Sequence, residues 1–166
     1  KCDVTRVGSV FYLPGAGETV FTDLGHTEGY HYYTHEPQAT QQVNAGIIYT
    51  MQRFAHLLER MQGEVDATGD NLLDTSIVLA ASDCDEGLDH RVDRQPILLA
   101  GHGRNKLAYP GIHYQAAPVG AMGTGNTTDV LVTVARAFDP TIASIGAGAP
   151  RSQQIIPALA GTEFEG

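Results

Sequence analysis

No tryptophan occurs in this 166-residue chain, only 17% of its residues are charged, and Lys plus Arg number 10 against 19 Asp plus Glu. The net charge of −9, with no Lys/Arg cluster to reverse it locally, repels a phosphate backbone and argues against nucleic acid as a partner. An acidic protein still holds an anionic substrate when bound cations reverse the sign at the site, so charge and metal belong together. Apolar runs are short: none approaches the ~18 to 20 continuous residues of a membrane span. There is no Gly-x-Ser-x-Gly elbow, which argues against a Ser/His/Asp hydrolase, and Gly120 to Asn126 (GAMGTGN) lacks the lysine and flanking pattern of a P-loop. The two cysteines, Cys2 and Cys84, have no CxxC or CxxCH neighbour that would signal zinc, redox or haem chemistry. A disulfide between them in an oxidising compartment and two unconnected thiols both stay open.

With 42% hydrophobic residues the chain can bury one core, and a single α/β domain, or the carboxy-terminal part of one, is the expected organisation. The opening Lys1-Cys2-Asp3-Val4 has no charged region followed by an apolar one, and a strand-like run follows at once. This abrupt start reads as a processed or internally cut product, with an amino-terminal half expected upstream.

Val4 to Leu13 (VTRVGSVFYL) is β-branched and aromatic and ends at Pro14-Gly15-Ala16-Gly17, so it reads as a strand entering a loop that runs to about Pro37. From Gln38 to Gln62, Val43, Ile47, Met51, Phe54, Leu58 and Met61 recur at three- and four-residue steps, which predicts a helix with His56 on its solvated side. Thr75 to Ala81 (TSIVLAA) and Pro96 to Ala100 (PILLA) read as strands covered on both faces. A strand, a long helix and another strand make a βαβ unit with parallel pairing. A short strand is expected at Gly111 to Tyr114, then a helix through Val130, Leu131, Val134, Ala135 and Phe138, capped by Thr127 or Thr128 and ended by Asp139-Pro140. Residues 141–166 read as an irregular wrapping tail.

In an open parallel sheet, ligands bind beyond the carboxyl ends of the strands. The first predicted strand leads to His26, His31 and His35; the second to Ser82, Asp83, Asp85, Glu86, Asp89 and His90; the third to His102. Histidine nitrogen with carboxylate oxygen suits zinc, whereas carboxylates alone favour calcium or magnesium. His31 and His35, four residues apart, share one face if that segment is helical; a pair of surface histidines is the alternative. Asp83 at the end of a strand is either a carboxylate aimed into a cleft or an ordinary turn residue.

Cys-Asp-Val-Thr-Arg-Val (residues 2 to 7), His31-x-x-x-His35, Ser82-Asp83, Asp89-His90 and Pro-Ile-Leu-Leu-Ala-Gly-His-Gly (96 to 103) together resemble a group of secreted bacterial proteins related to the sulfatase-like branch of the alkaline phosphatase superfamily. The resemblance implies a doubly wound, mostly parallel sheet flanked by helices, a secreted or periplasmic location, and a cleft with one or two divalent metals that hydrolyses phosphate or sulfate esters. His31 and His35 resemble the superfamily's Asp-x-x-x-His ligand pair, Asp83 its metal aspartate after a core strand, and His90 a later ligand. The metal implied is zinc first, then calcium or magnesium, and the substrate a small anionic ester or a glycan. His31 stands where the superfamily has an aspartate, and Cys84 stands where a histidine often follows the aspartate. The nucleophilic Ser or Thr of the superfamily belongs to an amino-terminal half outside this chain, which would then be a partner of it.

Two functions follow. One is a metal-dependent ester hydrolase; the other is a noncatalytic secreted binding or assembly protein that keeps the fold, for which the tyrosine-rich stretch at Tyr30, Tyr32 and Tyr33 leaves room.

Overall fold

The computed structural model describes residues 5–12, 17–116, 126–148 and 151–165. Its elements are mixed α/β: a short helix α1 (Tyr30–Thr34), a long helix α2 (Thr40–Gln62), strands β1 (Val78–Ala81) and β2 (Ile97–Ala100), and a helix α3 (Thr127–Phe138). Contacts divide the chain into two compact units, one running to Arg60 and resuming over Ala81–Pro96, the other Met61–Ala80 with Ile97 onward.

In the first unit, α2 lies where the apolar period places it. It is led in by a 3-10 turn, Pro37–Ala39, whose proline occupies a position that needs no amide hydrogen. Gly46 decides how α1 sits against it. A β-carbon there would come within 2.3 Å of Tyr30 Cε2, and the Tyr30 hydroxyl donates to Val43 O at 3.1 Å. The Tyr30 ring therefore rests directly on the helix backbone. Phe21 stands edge-on to Tyr30 and tilted to Tyr49, each 5.4 Å away, so a small aromatic core fixes α1.

In the second unit, β1 and β2 form a two-stranded antiparallel sheet. The backbone beyond it agrees, since Gly103 N donates to Ser76 O and Arg104 N to Asp74 O, returning the chain along its earlier course. Helix α3 is buried through Val132, Thr133 and Ala137. Its cap is Asn126 rather than Thr127 or Thr128: the Asn126 side chain accepts from Thr128 N at 2.9 Å, and Asp129 returns a bond to the Asn126 amide. The asparagine takes this place because it keeps extended backbone while its oxygen reaches the first free amides.

Four expectations about strands need correction. Residues 5–12 form no strand; Val7, Val10 and Phe11 lie 85 to 88% exposed, and the β pattern has no ladder partner among the described residues. The rest of that predicted strand lies outside the described residues. The two strands that do form pair antiparallel, so within this chain the described residues make neither a βαβ unit nor a doubly wound parallel sheet. Nor are they covered on both faces, because Leu79 and Leu98 remain 37% and 44% exposed. Gly111 to Tyr114 is likewise not a strand.

From Pro140 the described residues are irregular apart from a 3-10 turn at Pro157–Leu159. One bridge, Ile145 to Ser152, lies within this stretch, and another, Leu107 to Ala160, ties it back. No described helix is long and apolar enough to cross a membrane.

Candidate metal centre

Three imidazoles converge in the first unit. His31 lies on α1 and His35 caps its carboxyl end in helical backbone, so the four-residue spacing turns both rings to one side. Their Nε2 atoms are 3.2 Å apart. His90 arrives from the segment after β1, its ring stacked on His31 at 5.5 Å and edge-on to His35 at 4.9 Å. One nitrogen of each lies within 4.8 Å of the other two.

The donor set decides which ion fits. Imidazole nitrogen suits zinc and its transition-metal neighbours, whereas calcium and magnesium need oxygen. Two nitrogens on a tetrahedral zinc at ~2.0 to 2.1 Å lie about 3.3 Å apart, which the His31 and His35 pair already matches. His90 would have to close by about 1.5 Å at most. Among the described residues three nitrogens converge, one fewer than the four ligands of a tetrahedral zinc.

The segment carrying His90 is held from several sides. Asp85 N donates to Arg91 O at 2.8 Å and Arg91 N to Glu86 O at 3.1 Å, closing a tight reversal. The Glu86 carboxylate accepts from Leu88 N at 2.8 Å and from Asp89 N at 2.9 Å. Those amides, with Asp89 first, hold the Glu86 carboxyl below the usual glutamate range. Gly87 seats the reversal on α1, where a β-carbon would come within 2.6 Å of Thr34 Cβ. His90 itself has φ of +52°, left-handed backbone that a histidine adopts only at a cost.

The other expected ligand behaves differently. Asp83 is exposed and is not one of the converging group; its Oδ1 lies 3.4 Å from Ser82 Oγ and 3.7 Å from Cys84 Sγ. Cys84 is a free thiol, raised above its ordinary range by burial and by Asp83, and Cys2 lies outside the described residues. Burial takes His26 into the aromatic core, edge-on to Tyr33 at 5.0 Å. His102 is engaged elsewhere. Its Nδ1 accepts from Asn105 N at 2.8 Å and its Nε2 faces Asp74 at 3.4 Å, which places the ring proton on Nε2. The antiparallel direction explains this, because the chain beyond β2 returns to where β1 begins rather than to where it ends. His56 is exposed beside Glu59, and His113 is exposed.

Glu86, Gly87 and Thr34, which shape and seat the reversal before His90, carry no mark of that role in the sequence. The Glu-Gly pair signals a turn, but not what the turn rests on. Comparison with protein-family models, with curated proteins and with solved structures returns no match.

Proposed function

We propose that this chain carries the zinc-binding part of a hydrolase acting on phosphate or sulfate esters, the nucleophile coming from outside these residues. The observation that carries the reading is the meeting of His31, His35 and His90 from two separate segments. All three donors are nitrogen, which favours zinc over the calcium or magnesium that the alkaline phosphatase resemblance also admits.

A zinc ion so held supplies a Lewis acid for an ester oxygen and for charge on the leaving group. His31 and His35 would bind it from a rigid helical turn, and His90 would complete a three-nitrogen face. With a net charge of −9 the protein does little to attract an anionic ester on its own, so the cation would set the sign of the site.

On this reading the antiparallel pair of β1 and β2 belongs at the margin of a larger, mostly parallel doubly wound sheet, since such sheets often carry one antiparallel edge strand. The exposed Leu79 and Leu98 leave apolar area for another layer to cover. Ile47, Ile48, Met51 and Leu57, 40 to 58% exposed along α2, favour a second reading: a noncatalytic secreted binding or assembly protein whose partner covers that helix.

Metal analysis of the purified chain separates the two readings. One equivalent of zinc, lost in His31→Ala, His35→Ala and His90→Ala, with chelator-sensitive release of an aryl phosphate or aryl sulfate once the upstream portion is supplied, is the result expected of the hydrolase. Absence of stoichiometric metal, with stability and esterase activity both indifferent to chelation, removes it.

A further inference from the structure

We infer that Glu86 is the positioning residue of this centre: it is not a ligand, but its carboxylate holds His90 in the left-handed conformation that brings the third imidazole to His31 and His35. The inference rests on the metal-site reading and adds to it how the third ligand is kept ready.

Both carboxylate oxygens of Glu86 are occupied by main-chain amides, Oε1 by Leu88 N at 2.8 Å and Oε2 by Asp89 N at 2.9 Å. A carboxylate so engaged is a poor candidate for a fourth ligand and a good brace for the backbone between it and His90. The residue it braces toward needs one. A non-glycine residue at φ +52° is sterically disfavoured and persists only where its surroundings impose it. Around His90 those surroundings are the Glu86 carboxylate, the paired main-chain bonds of Asp85, Glu86 and Arg91, and the Gly87 seat on Thr34. Asp85, Asp89 and Asp93 provide no equivalent brace among the described residues: Asp93 pairs with Arg91, the Asp85 side chain is 5% exposed and faces Arg94 at 3.4 Å, and Asp89 contributes its amide to Glu86.

A group hydrogen-bonded to a metal-ligating imidazole shifts metal affinity by about 10- to 100-fold when removed; Glu86 acts one bond further out, on the backbone that leads to His90, so the lower end of that range applies. Glu86→Ala is therefore expected to weaken zinc binding by about 10-fold, toward the level of His90→Ala. Glu86→Gln, which keeps a single acceptor oxygen, should recover part of the loss. In a His90→Ala background Glu86→Ala should cost nothing further, because its effect runs through His90.

The test measures zinc affinity by chelator competition in the whole chain for wild type, both single variants and the double variant. The visible spectrum of the cobalt-substituted protein reports tetrahedral geometry. Nuclear Overhauser contacts between the His31 and His90 rings, recorded without metal, supply an independent reading and should vanish in Glu86→Ala. Wild-type affinity in a folded Glu86→Ala with the ring contact intact overturns the inference alone, as do fully additive losses in the double variant. A wild type that binds no zinc removes the metal reading, and the ring contact then still decides whether Glu86 places His90.

Discussion

Gly87 lies so close to Thr34 that no β-carbon fits between them: one added at Gly87 would stand 2.6 Å from Thr34 Cβ and 3.1 Å from Cγ2. Because Thr34 ends α1 between His31 and the capping His35, and Gly87 lies just before His90 in sequence, this contact joins the two segments that carry the candidate centre. Gly87→Ala should therefore push the segment carrying His90 away from α1 and lower zinc affinity toward that of His90→Ala, leaving far-ultraviolet circular dichroism unchanged. Equal affinity in wild type and variant would show that the seat is dispensable.

Gly46 tests the packing of α1 on α2. Glycine to alanine inside an exposed helix ordinarily adds about 1 kcal/mol of stability. At Gly46 the new methyl meets the Tyr30 ring at 2.3 Å, and overpacking of that kind costs about 1 to 3 kcal/mol. We expect the clash to win, so the urea midpoint of Gly46→Ala should fall below that of wild type; a rise would mean that the ring moves aside freely.

Helix α3 depends on its cap. Replacing Asn126 by alanine leaves the Thr128 amide without its acceptor and should cost about 1 kcal/mol in urea unfolding.

Thr133 is fully buried, and its hydroxyl links Asp129 O to Ile156 N at 2.7 and 2.8 Å. Thr133→Val keeps the volume but strands the Ile156 amide, a loss of about 1 to 3 kcal/mol. Amide exchange at Ile156 should speed up at the same time.

Acid should loosen the Asp66 turn. Its carboxyl is held below the ordinary aspartate range first by the Thr68 hydroxyl, then by the Thr68 and Asp70 amides, with Arg104 adding charge. A carboxyl lowered on folding contributes stability above its unfolded pKa, and that contribution fades as pH falls through the folded one. The urea midpoint of wild type should therefore drop more between pH 5 and pH 3 than that of Asp66→Asn, a window set by an unfolded value of about 3.9. Parallel pH profiles would rule the turn out as an acid-sensitive element.

The amino-acid pattern alone determined the two longer helices and the two strands that form, although the same β-branched signal at residues 5–12 yields no strand. Apolar steps of three and four place α2 and α3, and β-branched runs place β1 and β2 to within a few residues, because helix and strand periods are properties of neighbouring side chains. The His31 and His35 pair was legible for the same reason, since four residues in helical backbone put two rings on one side. Tertiary structure decided what contacts between distant residues control. Antiparallel pairing of β1 with β2 sends His102 to Asp74 and Asn105 instead of to the other histidines, and no local pattern states the direction of a ladder. His90 meets the pair from a reversal in which Gly87 lies on Thr34, the Glu86 carboxylate is bonded to main-chain amides and the histidine takes left-handed backbone. Asp83, which the sequence left open between a cleft ligand and a turn residue, is turned to its neighbours Ser82 and Cys84, since proximity in sequence to a site does not fix where a side chain points.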